Sequence, residues 1–426
     1  MAATTLLKEG FLQGTFDDTL ETLYVSKELV KKQRARYAAA LEAFEGLYGV
    51  KEAEIYSAPG RTEIGGNHTD HQNGKVLAAS VNLDAIAVVA KREDNVVRLK
   101  SEGYPELTLK LDSLEPEEAE YGTTTALIRG VANGVKARGC GIGGFDAYVT
   151  SEVLSGSGLS SSAAFEVLIG NIFSGAYNDG KLDSVTIAQI GQEAENIYFG
   201  KPCGLMDQMA CSVGGMIYID FAEKKNPKVK KINVDFNRFG YSLCIVDTKG
   251  SHADLTDEYA AIPAEMKAVA AYFGKELLCQ VEKADFFANI PAIRKEAGDR
   301  AVLRAMHWFM ENERVVAQAE ALEQGEIETF KALIKESGDS SFKYLQNVFA
   351  VKNVKEQGVS LALALSEMAL QGKGVTRVHG GGFAGTIQAF VPAELVQPYK
   401  ECMEAVLGEG TCYVLNIRPA GGVKIV

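Results

Sequence analysis

The sequence predicts a two-domain protein built from both helices and strands, on three grounds. The chain has 426 residues, whereas single hydrophobic cores stop growing at about 250–300 residues. Its first half alternates short β-branched runs with stretches of helical periodicity. Its second half opens on a helix-rich stretch and closes on strand-like runs around a glycine cluster. The boundary falls near residue 220, giving domains of 1–220 and 221–426, and no long polar linker parts them.

Taken in order, residues 27–48 carry Leu29, Val30, Tyr37, Leu41, Phe44 and Leu47 at helical spacing. Residues 53–58 read as a short strand closed by Pro59-Gly60. The apolar, β-branched stretch 76–90 reads as two strands, 76–79 and 86–90, joined near residues 82–84. Runs 96–99 and 107–111 alternate as a hairpin. A helix over 123–137 places Leu127, Val131 and Val135 on one face, glycines in 139–144 break it, and 145–149 is a strand. A Gly/Ser loop then enters a long apolar helix over 160–177, followed by a helix over 182–199. Strands are expected at 216–220 and 241–247, helices at 264–273, 301–322 and 327–342, and strands again within 374–426.

Apolar residues make up 46% and charged residues 23%, the mix of an ordinary globular protein. Net charge is −12, from 44 basic and 56 acidic residues. That excludes sequence-independent nucleic-acid binding, which needs a basic footprint. It leaves room for a phosphate ligand, because glycine-rich backbone with one or two basic residues can hold one. No apolar run reaches 18 residues, so no membrane partner is expected. Residues 1–13 carry Lys8 and Glu9 and do not read as a signal peptide. The seven cysteines are scattered and form no CxxC pair, the pattern of reduced thiols in a cytoplasmic protein.

Four segments concentrate chemistry. In Ser155-Gly156-Ser157-Gly158-Leu159-Ser160-Ser161-Ser162-Ala163, glycines admit close backbone approach and the helix start offers unpaired amides to an anion. The same residues also suit a serine-capped turn. His379-Gly380-Gly381-Gly382 before an apolar strand fits either a close backbone approach or a tight turn. Gly60 to His71 packs Arg61, His68 and Asp70 into one turn, groups suited to a polyhydroxyl ligand or to plain solvation. His68 and His71 make a poor metal pair, since no further histidine is near in sequence. In Glu195 to Gln208, Asp207 follows a Pro-Cys-Gly loop and suits a base or a helix cap.

Together these segments resemble the galactokinases, within the family of galactokinase, homoserine, mevalonate and phosphomevalonate kinases (GHMP kinases). The family signature Gly-Arg-x-Asn-x-Ile-Gly-Glu-His-x-Asp-Tyr stands here as Gly60-Arg61-Thr62-Glu63-Ile64-Gly65-Gly66-Asn67-His68-Thr69-Asp70-His71. The phosphate loop Gly-Leu-Ser-Ser-Ser-Ala is Gly158 to Ala163, and Cys-Gly-Ile-Met-Asp-Gln is Cys203-Gly204-Leu205-Met206-Asp207-Gln208. Arg304-Ala305-Met306-His307-Trp308 and Glu311-Asn312-Glu313-Arg314-Val315 look like a helix of the second domain, and Gly380 to Gly385 like the third motif.

The resemblance implies a two-domain α+β GHMP kinase fold with its active site in the interdomain cleft. It implies transfer of the γ-phosphate of ATP to the anomeric hydroxyl of galactose, with sugar and ATP as partners in a monomer. Asp207 would accept or orient the attacking hydroxyl, with Arg61 stabilising charge beside it. Gly156, Ser157, Gly158, Leu159, Ser160, Ser161, Ser162 and Ala163 would hold phosphates, and Ser162 or Ser161 with Glu195 would hold Mg²⁺. Asn67, His68, Asp70, Gly204 and Tyr259 would line the sugar site. The departures gather on the sugar side: Asn67 stands for Glu, His71 for Tyr, Glu63 for Asn and Gly65 for Ile. Ala260-Ala261-Ile262 replaces Asn-x-Arg-Arg, and Val378-His379 replaces Met-Thr. A kinase for a related sugar, such as N-acetylgalactosamine or a uronic acid, and a non-catalytic galactose sensor are the alternatives. The uninterrupted Ser160 to Ala164 run, Asp207 and Arg61 favour an enzyme.

Overall fold

The computed structural model describes residues 2–153, 158–223, 225–250, 255–352 and 354–426. Two sheets organise the chain. The larger collects β1 (Ala2–Ala3), β2 (Glu52–Gly65), β3 (Lys75–Lys91), β4 (Val96–Ser101), β5 (Glu106–Lys110), β6 (Phe145–Ser151), β7 (Met216–Asp220) and β8 (Lys228–Ile232). The smaller collects β9 (Tyr241–Asp247), β10 (Val375–His379), β11 (Thr386–Pro392) and β12 (Cys412–Leu415), after which β13 (Val423–Lys424) returns to the larger. The larger sheet runs β1-β2-β3-β6-β4-β5, with β13 beside β2 and the β7–β8 pair beside β3. It is mixed, because β4 runs parallel to β6. The smaller runs β10-β11-β9-β12, all antiparallel. Helix Ser161–Asn178 lies on β2 and β3, and five α-helices fill the described stretch between β9 and β10. This is an α+β architecture. One buried cluster joins Ala87 and Val167 of the first sheet layer to Leu243, Ile245 and Phe390 of the second, so the halves share a core. No helix among the described residues is long and apolar enough to cross a membrane.

Three expectations are corrected. β3 is one 17-residue strand and not a pair joined at residues 82–84. Its mid-strand polar groups look like turn residues, but each has a distant partner. Asn82 exchanges hydrogen bonds with Asn416, and the buried Asp84 carboxylate receives Arg36, Arg418 and Tyr24. Likewise β2 does not stop at Pro59-Gly60. It shifts register against β3 between Pro59 and Arg61, a bulge that absorbs the missing proline N–H, and runs on to Gly65. Helices Gly358–Leu370 and Val396–Leu407 and strand β8 were not expected. The Lys-rich alternation of β8 hides its half-buried face.

Candidate active site

The extended end of β2 carries Arg61 and Glu63 towards the second sheet. The chain then leaves the sheet in a turn that ends in the single 3₁₀ turn Asp70–Gln72. That turn is held from outside by helix Asp299–Gln324. His307 Nε2 donates to the Asn67 carbonyl (2.9 Å), Trp308 Nε1 donates to the Thr69 carbonyl (3.1 Å), and Glu311 Oε1 accepts the Gly66 amide (3.1 Å). Burial pushes the His307 imidazole down, although the bond it donates to the Asn67 carbonyl acts in the opposite direction.

Arg61 meets Asp207 in a bidentate pair, Nε to Oδ1 at 2.7 Å and Nη2 to Oδ2 at 2.8 Å. Asp207 sits in the first turn of helix Met206–Val213, where the helix dipole also favours an anion. Burial alone would push its carboxyl up. The Arg61 guanidinium and the Ser160 hydroxyl, which donates to Oδ2, outweigh it and hold the carboxyl below the usual range. Arg61 also donates to the Gly158 carbonyl, and its amide donates to that of Leu159 (3.0 Å). Asp207 is thereby fastened to the mouth of the phosphate loop.

Gly158 to Ala163 forms the entrance to helix Ser161–Asn178. Ser160 takes a left-handed φ of 60°, and the Ala164 amide closes onto its carbonyl (3.1 Å). The amides before it lie outside the helix's own ladder. Leu159 and Ala163 are core residues. Gly156 and Ser157 lie outside the described residues. From the same helix, Ser162 Oγ donates to Glu195 Oε1 (3.1 Å), which also takes Lys201 Nζ (3.0 Å). Gln208 Nε2 bridges Glu195 Oε2 (2.8 Å) and Glu166 Oε2 (3.0 Å). Burial, with Glu195 nearby, pushes the Glu166 carboxyl well up, so one end of the bridge is a carboxyl that favours its neutral form. Glu195 lies just inside a π-helical turn, Ala194–Phe199, a winding that recurs at functional sites. The Ser162–Glu195 pair, its carboxylate buried and its hydroxyl half-buried, supplies hard oxygen donors beside the phosphate loop, which fits Mg²⁺.

A cavity of about 130 Å³ opens beside these groups, lined by Arg61, Glu63, His68, Asp70, His71, Glu195, Lys201, Gly204, Asp207, Tyr259, Gly380 and Gly381 among others. The structure thus brings together most of the residues singled out in sequence. A Cβ at Gly204 would displace the Asp70 carboxylate, and a Cβ at Gly381 would meet the Tyr259 ring at 2.6 Å. His68 donates Nε2–H to the Gly381 carbonyl (3.0 Å), and burial, then His71, pushes its pKa down to about 3. Among the described residues its Nδ1 is a buried acceptor without a partner. Asn67, expected to face the ligand, does not line the cavity. It is fully buried, with its amide committed to Glu63, the Gly380 carbonyl and Asn347. Glu63 and Lys201, not singled out in sequence, line the cavity instead. The signal for Glu63 was present as a departure from the family motif; Lys201 had none beyond its place in the Glu195 to Gln208 segment.

Residues 126–215 match the family GHMP kinases N terminal domain, and residues 42–91 match the galactokinase galactose-binding signature. A galactokinase of Streptomyces coelicolor is 30% identical over 389 residues, covering 90% of this chain and 97% of that one. A galactokinase of Actinobacillus pleuropneumoniae serotype 3 is 31% identical over 359 residues, covering 84% and 90%. The crystal structure of Lactococcus lactis galactokinase complexed with galactose superposes with a TM-score of 0.78 at 26% identity, covering 92% of this chain and all of that one. A mevalonate kinase at 16% identity and TM-score 0.60 shares the fold. Identity of this order across nearly the whole of both chains places the protein among the galactokinases, a family of sugar kinases within the GHMP kinases.

Proposed function

We propose that the protein transfers the γ-phosphate of ATP to the anomeric hydroxyl of galactose, yielding galactose 1-phosphate and ADP. The observation that carries this reading is the Arg61–Asp207 pair, set between the polar cavity and the phosphate loop. Phosphoryl transfer passes through a loose transition state, so it asks the protein for positioning and charge stabilisation more than for a strong base. Asp207 suits that demand. Its low pKa makes it a weak base but a permanent acceptor, so it orients the sugar hydroxyl and takes the proton late in the transfer. Arg61 steadies the charge building between Asp207 and the incoming phosphoryl oxygens. His68, Asp70, Gly204 and Tyr259 hold the sugar, and Gly158 to Ala163, with Gly156 and Ser157 before them, hold the phosphates.

Ser162 and Glu195 would hold Mg²⁺, which when bound neutralises phosphate oxygens. Lys201 Nζ pairs with Glu195 Oε1 at 3.0 Å. Division of the chain near residue 220 and a cytoplasmic setting, supported by seven unpaired cysteines, complete the proposal. The test is ADP release with ATP, Mg²⁺ and a panel of sugars. Galactose should give the highest kcat/KM, with glucose strongly rejected, because a site built around a hydroxyl leaves buried polar groups unpaired when it is misplaced. No release above the sugar-free rate with galactose refutes the reading.

A further inference from the structure

Glu63 and Asn67 stand where the family signature has Asn and Glu, so the two residue types have changed places. Alone, each departure looks like a loss. In the structure they touch: Asn67 Nδ2 lies 3.0 Å from Glu63 Oε1 and 3.3 Å from Oε2. The amide–carboxylate pair is therefore kept, with its ends reversed.

The reversal moves the carboxylate. Asn67 Nδ2 also donates to the Gly380 carbonyl (2.7 Å), and its Oδ1 accepts from Asn347 (2.8 Å) and Ser341 (3.3 Å). Two N–H groups and two lone pairs are all that an amide has, and all are engaged. Glu63 differs. Arg377 and Asn67 occupy its Oε1, whereas among the described residues Oε2 takes only the 3.3 Å contact, and a carboxylate oxygen has capacity for two donors. Glu63 also lines the cavity that holds Arg61, Asp70 and Asp207.

We propose that Glu63, anchored by Arg377 and Asn67, is a sugar-binding and specificity-determining residue of this enzyme, its Oε2 accepting a galactose hydroxyl. The role given to the family glutamate at 67 is thereby exercised from position 63. This rests on the galactose kinase reading above.

The experiment measures steady-state kinetics with ATP, Mg²⁺ and galactose for the wild type, E63Q, N67E and the reversed pair E63N/N67E, with thermal melts alongside. It repeats wild type and E63Q with each monodeoxygalactose that keeps the anomeric hydroxyl. A charge-assisted bond lost from a desolvated site should raise the galactose KM of E63Q about tenfold or more, with kcat within about threefold. One deoxy sugar, lacking the hydroxyl that Glu63 accepts, should show no difference between wild type and E63Q. N67E sets two carboxylates together and should lose galactose binding, and E63N/N67E should recover most of it. An unchanged KM in E63Q overturns the proposal. So does an equal E63Q penalty on every deoxy sugar, which marks a purely structural role, and so does a reversed pair no better than N67E. A wild type inactive on galactose would instead refute the kinase reading itself.

Discussion

Replacing Asp207 by asparagine removes one charge while keeping the side chain's shape, so its cost can be worked from the Arg61 geometry. Arg61 makes two charge-assisted bonds to the carboxylate, at 2.7 and 2.8 Å. An asparagine keeps one acceptor and turns the other contact into N–H against N–H. Breaking a fully buried ion pair costs about 3–5 kcal/mol. Here the Asp207 side chain is 29% exposed, against 9% for Arg61, so water rescues part of the loss. A stability decrease of about 2–3 kcal/mol is expected, measurable by urea unfolding. The catalytic loss is larger. Positioned proton acceptance is typically worth about 10²–10⁴-fold, or about 3–5 kcal/mol of barrier. Turnover with galactose should fall by that factor in a variant whose far-UV circular dichroism is unchanged. The sign with pH also follows. Asp207 is held below its usual value, so its stabilising contribution is present above the unfolded pKa, about 3.9, and is lost as pH falls through the folded value. The stability gap between wild type and Asp207→Asn should close below about pH 4. Turnover within about threefold of wild type would remove Asp207 from the mechanism.

Gly204→Ala drives a methyl into the Asp70 carboxylate and should raise the galactose KM at least about tenfold with little change in melting temperature; an unchanged KM argues that Asp70 does not hold the sugar. Ser162→Ala removes a hydroxyl from Glu195, and the Mg²⁺ concentration for half-maximal rate at fixed ATP should rise about 10-fold or more, whereas an unmoved titration assigns the metal elsewhere. In Glu166→Gln a permanent amide replaces a carboxyl that burial drives upward. The wild-type native state keeps a proton that the unfolded chain loses above about pH 4.3, so wild-type stability falls as pH rises towards the folded pKa. The variant should therefore gain stability relative to wild type as pH rises above about 4.3, and parallel unfolding curves would contradict this.

The site was legible in sequence wherever short-range chemistry determines it. Gly158 to Ala163 declares a helix entrance by its own glycine and serines, and the helix follows from Ser161. Helix Lys27–Tyr48 matches its apolar period from end to end. The order of the four segments implied a sugar kinase, and Arg61, Asp70, Gly204, Asp207 and Tyr259 do meet around one cavity. Features that depend on partners far along the chain were misread. Residues 82–84 looked like a turn because Asn416 and Arg418, which satisfy them inside β3, lie more than three hundred residues on. Asn67 looked like a ligand-facing amide because Gly380 and Asn347, which use up its hydrogen bonds, belong to distant segments.

By itself, then, the sequence determined the helix entrance at Gly158 to Ala163, which depends on residue types within a few positions of one another, and the order of its motifs pointed to the reaction class; that Arg61 meets Asp207, 146 residues on, only the fold shows. Tertiary structure alone decided which carboxylates line the cavity, which carboxyl favours its neutral form and which lysine meets Glu195. The physical reason is that a polar group's charge and direction depend on burial and on the partners that remain unengaged. For Glu63 one of those partners is Arg377, 314 residues away.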